Sequence, residues 1–101
     1  MKGLNVVFAL AIIVPALTGG VFAYTGEKLA KSAEVTMEQA IDIALKARPG
    51  KITDKELERE KGGTGLRYSF DIRSKGVTYE VGIDAHTGAV LENSREGAHP
   101  D

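Results

Sequence analysis

Few side chains in this sequence are of a type and spacing that could do chemistry. Asp84 and His86 stand two apart in Asp84-Ala-His-Thr-Gly88, and a metal could draw on both, with His99 as the other imidazole. A zinc site needs three or four converging ligands, and this chain has no cysteine and nothing else placed by sequence to help. The expectation is that no metal or cofactor is held: Asp84 caps the turn through backbone amides, and His86 is an exposed turn residue. Gly62-Gly-Thr-Gly65 has the glycines of a phosphate loop but lacks the following Lys-Ser/Thr and the strand-to-helix setting, so it reads as a connection between strands. Glu56 and Glu58 pair on one exposed face, with nothing to raise either pKa towards a general acid's range. Ser32, Ser69, Ser74 and Ser94 carry no nucleophile motif. These residues argue against an enzyme and leave binding as the class of function.

The elements that must position them are plainly written. Val77, Tyr79, Val81 and Ile83 alternate with Thr78, Glu80, Gly82 and Asp84, the pattern of a strand with one buried face. Asp84 to Gly88 is the turn that follows, with Gly88 placed to take positive φ, and Ala89 to Glu92 or Asn93 is the returning strand. Leu66, Tyr68, Phe70 and Ile72 alternate as cleanly, and Ser74-Lys-Gly76 turns the chain into Val77. Lys51 to Glu60 is a weaker strand. Its large apolar residues, Ile52 and Leu57, are five apart and need a bulge to share a face, and its charges suit a protected edge. Ahead of it, Thr36-Met-Glu-Gln39 is a capping box, and Met37, Ala40, Ile41, Ala44 and Leu45 form one apolar helical stripe. Pro49-Gly50 ends that helix near Ala47. The expected architecture is α+β: one amphipathic helix packed on a three- to four-stranded antiparallel sheet.

The 101 residues suffice for one small domain, and the first part lies outside it. Lys2, the apolar run from Leu4 to Leu17 and Val21-Phe-Ala23 form a signal peptide, residues 1–23, cut between Ala23 and Tyr24. The alternative is an uncleaved anchor, since about 20 apolar residues span a bilayer; only then is a membrane involved. Either way the domain lies outside the cytoplasm, periplasmic or secreted. Without cysteine its stability rests on the core rather than on disulfides. Residues 24–35 show no apolar period and read as a flexible spacer, 36–93 as the domain, and 94–101 as a polar tail. Without Lys2 the chain has 12 basic and 14 acidic residues, interspersed, so no nucleic-acid partner is implied.

A helix ending in Ala-Arg-Pro-Gly50, a charged strand, Tyr-Ser-Phe-Asp-Ile72 and Tyr79-Glu-Val-Gly-Ile-Asp-Ala-His-Thr-Gly-Ala-Val-Leu91 together resemble a PepSY domain. The family occurs in propeptides of thermolysin-type metallopeptidases and as small exported proteins. Its hallmarks fall here on Pro49, Gly50, Tyr79, Asp84, Thr87 and Gly88, positions of architecture rather than catalysis. The resemblance implies an exported, non-catalytic module that binds a protein, a secreted peptidase among the candidates. The expected surface is the outward row of the sheet, Arg67, Ser69, Asp71, Arg73, Thr78 and Glu80, or an unpaired edge. The alternative reading is a periplasmic small-ligand or metal-sensing domain using Asp84, His86 and His99.

Overall fold

The computed structural model describes residues 24–97. The signal segment with its cut at Ala23, and the tail from Ala98 with His99, lie outside the described residues. Helix α1 runs Met37–Ala47, as the apolar stripe and the proline stop require. Its capping box is complete: the Gln39 amide donates to Thr36 Oγ1 at 3.1 Å, and the Thr36 amide donates to Gln39 Oε1 at 2.9 Å. Four strands follow, β1 Lys51–Arg59, β2 Leu66–Ser74, β3 Val77–Asp84 and β4 Val90–Arg95. They pair antiparallel in chain order, so β1 and β4 are the edges of the sheet.

Register explains which face is buried. Ile52 lies opposite Ile72 and Leu57 opposite Tyr68, with an irregularity between Ile52 and Asp54. That bulge is what the five-residue spacing of the two apolar residues demands. Leu57, Leu66, Tyr68, Phe70, Ile72, Val81 and Ile83 all point to one side and are buried. Met37, Ala40 and Ala44 of α1 close over them, and the two alanines let the helix lie close to the sheet. Burying each large side chain there contributes about 1.5–3 kcal/mol.

Two boundaries differ from expectation. Residues 24–35 are no spacer: Glu27–Ser32 forms a 3₁₀ helix, and Tyr24, Leu29, Ala33 and Val35 pack against the core. Thr25 forms a parallel bridge with Glu56, its carbonyl accepting from the Leu57 amide at 2.8 Å, so this strap covers part of the β1 edge. The Val35 carbonyl accepts the Tyr68 hydroxyl at 2.5 Å. The strap's anchors are spaced singly, without helical or strand period, and a periodicity search passes over them. Strand β4 also continues to Arg95, so Ser94 and Arg95 belong to the sheet rather than to the tail.

Candidate functional site on the outer face of the sheet

Asp84 is fully enclosed, with every contact an architectural one. Its carboxylate accepts from the His86 amide at 2.8 Å and the Thr87 amide at 3.0 Å, the turn cap its position requires. It also accepts from Thr64, 20 residues earlier, through the amide at 2.7 Å and the hydroxyl at 2.9 Å. Burial alone would raise its pKa; these hydrogen bonds outweigh burial and hold the carboxyl well below its ordinary value. Gly63 makes the approach possible, since a Cβ there would lie 2.3 Å from Asp84 Oδ2. The glycine-rich loop therefore clasps a carboxylate, not a phosphate. His86 pairs through Nδ1 with Glu34 of the strap. Asp84 and His86 thus face protein donors and an acid, and nothing brings them together as ligands.

The other hallmark positions are likewise structural. Gly88 has φ +81°, the left-handed geometry the turn needs. Thr87 Oγ1 accepts from the Ala89 amide at 3.2 Å. Past Pro49 the backbone at Gly50 comes so near β2 that a Cβ would lie 2.5 Å from the Arg73 carbonyl oxygen. Tyr79 receives the Arg48 guanidinium 3.8 Å from its ring centroid.

The outward row of the sheet is different. Arg67, Ser69, Asp71 and Arg73 of β2 face the same way as Asp54, Glu56 and Glu58 of β1 and Thr78 and Glu80 of β3. Glu60 and Glu92 join them around a groove of about 150 Å³, and Glu96 approaches Asp71 and Glu80. No described helix crosses this face. Lys51 of β1, opposite Arg73, lies there too, so the face carries eight carboxylates against three cations, while the other described residues carry nine Lys and Arg against five Asp and Glu. Charges interspersed along the chain are segregated by the fold.

Arg67 corrects the expected face. Only 8 % of it is exposed, because its side chain lies over Gly82, where a Cβ would meet Nη1 at 2.8 Å. Its Nη1 pairs with Glu92 at 3.2 Å and Nη2 donates to the Lys61 carbonyl at 3.4 Å, while Nε is buried without a partner. Ser69 donates to Glu58 Oε2 at 2.7 Å. Thr78 accepts from Arg73 Nη1 at 3.5 Å. Glu56 also differs from expectation, since its surroundings do raise its pKa, as those of Glu60 and Asp71 raise theirs. Glu56 is pushed up by burial and then by Glu58, Asp54, Asp71 and Glu60. Glu60 is pushed up first by its hydrogen bond with Glu58, and Asp71 by burial and then by Glu96, Asp54 and Glu80. Carboxylate oxygens of Asp71, Glu80 and Glu96 lie within 4.8 Å of one another. Sequence reasoning missed Thr64, Glu34 and Glu92; strand parity on β4 was the signal that could have found Glu92.

Helix α1 on one face of a four-stranded meander, with an open acidic face on the other, defines a small α+β module. The profile of the PepSY family, described as peptidase propeptide and YPEB domain, matches residues 34–93, more than half of the 101-residue chain. The protein belongs to that family. Its members are propeptide-type or regulatory domains without catalytic function, typically outside the cytoplasm. No curated protein and no solved structure matches the chain. Among the described residues no helix is long and apolar enough to cross a membrane.

Proposed function

We propose that this protein is an exported, non-catalytic module that binds a protein partner and modulates it, with a secreted peptidase as the leading class of partner. The observation that carries the reading is the asymmetry of the sheet. One face is closed by α1, and the other keeps a groove and a row of charged side chains that the core does not need. Family membership supports the peptidase connection, and the N-terminal segment supports export with cleavage after Ala23. The face is favoured over the β1 edge because the strap already bridges that edge at Thr25.

The test is a pull-down from the envelope of the producing cell with the full chain as bait, followed by assays of secreted peptidase activity with and without the protein. A recovered protein whose activity changes on addition is the expected result. Recovery of no protein, together with unaltered peptidase activity, would remove the reading.

A further inference from the structure

We propose that the outer face of the sheet receives a cationic segment of its protein partner, an extended stretch carrying Lys or Arg at every second residue. This rests on the protein-binding reading and names the chemistry of what is bound.

Charge is the first ground. Eight carboxylates share this face with three cations, Lys51, Arg67 and Arg73, and Arg67 is already paired with Glu92. Burial first, and then the neighbouring acids, raise the pKa values of Glu56 and Asp71, and a cationic partner offsets the second of these causes. Spacing is the second. Glu56 and Glu58 of β1, and Glu60 just past its end, succeed one another every second residue, about 6.6 Å apart along a strand. An extended segment lying along them repeats its own side chains at that interval, so alternate Lys or Arg residues meet the acids in register. The third ground is Arg67. It lines the groove with Nε buried and without an acceptor, and a peptide carbonyl seated in the groove is an acceptor of the right kind. The carboxylates spread across all four strands. A single ion at Asp71, Glu80 and Glu96 would neutralise one corner and leave the β1 row untouched.

Calorimetry of the full chain in mild detergent provides the test, with an alternating Lys-Ser peptide as long as β1, its Gln-Ser counterpart and calcium chloride alone as probes. The Lys-Ser peptide is expected to bind, with affinity falling about tenfold between low and physiological salt, and the Gln-Ser peptide is not. Combining Glu56→Gln with Asp71→Asn should weaken binding about tenfold while leaving the melting temperature equal or higher, which separates lost binding from lost folding. Glu38→Gln, a neutralisation of the same kind on α1, should leave binding intact. Equal binding of both peptides, equal loss from Glu38→Gln, or a response to calcium but not to peptide would overturn the inference. A pulled-down partner whose retention ignores salt and the Glu56/Asp71 double variant would overturn it too, while leaving the protein-binding reading in place. Recovery of no partner would count against both.

Discussion

At the scale of the residue, Asp84 joins two parts of the chain that lie some 20 residues apart in sequence. Its carboxylate holds the hairpin turn through His86 and Thr87 and the glycine-rich loop through Thr64. Asp84→Ala should cost about 3–5 kcal/mol, because three backbone amides lose a charged acceptor in a buried setting; denaturant melts would measure it. Asp84→Asn keeps the shape and one acceptor oxygen and should cost less. Gly88→Val should cost about 1–3 kcal/mol, since a β-branched side chain is strained at positive φ. Its Cβ would also press on Ile43 Cδ1 at 3.3 Å. An unchanged melting temperature would refute the drawn turn. The turn role of Asp84 was legible because an acid two and three residues before free amides is a local signal. Its bond to Thr64 crosses 20 residues, and no local pattern encodes a contact of that span.

At the scale of the element, the strap and the sheet act as one unit. Strands and helix were legible because each repeats an apolar residue at the period of its own geometry, and the bulge was legible as a mismatch between period and spacing. The strap repeats nothing. It is held by isolated anchors and by the Tyr68 hydroxyl on the Val35 carbonyl. Burial, with a smaller contribution from Tyr24, pushes the Tyr68 pKa up to about 12, so this hydroxyl remains a donor throughout the physiological range. Tyr68→Phe should lower stability by about 1 kcal/mol and raise hydrogen exchange at the Glu34 and Val35 amides, which both donate to the Ala85 carbonyl. Exchange that stays unchanged at these two amides would mean the strap is held in place without the Tyr68 hydroxyl.

At the scale of the molecule, two opposed linkages shape stability against pH. Glu56 and Asp71 have raised pKa values, so the folded chain holds their protons more tightly than the unfolded chain. That contribution is full at low pH and is lost as pH rises from the ordinary carboxylate range through their raised values. Asp84 runs the other way: its contribution is full at neutral pH and is lost as pH falls below about 4. Calorimetric melting temperatures should therefore pass through a maximum at mildly acidic pH. The Glu56→Gln, Asp71→Asn variant should flatten the neutral side of that curve, and Asp84→Asn the acid side. The helix-on-sheet plan was legible from alternation alone, but the concentration of acids on one face was not, because β1, β2, β3 and β4 contribute to it from separate stretches of sequence. That concentration also acts before any contact is made. A body with its acids gathered on one face sets up a field that orients what approaches it. Within a Debye length, about 8 Å at physiological salt, cationic chains are drawn to the sheet and anionic ones are turned away. Partner choice begins in the encounter, as a difference in association rate, before the groove is filled.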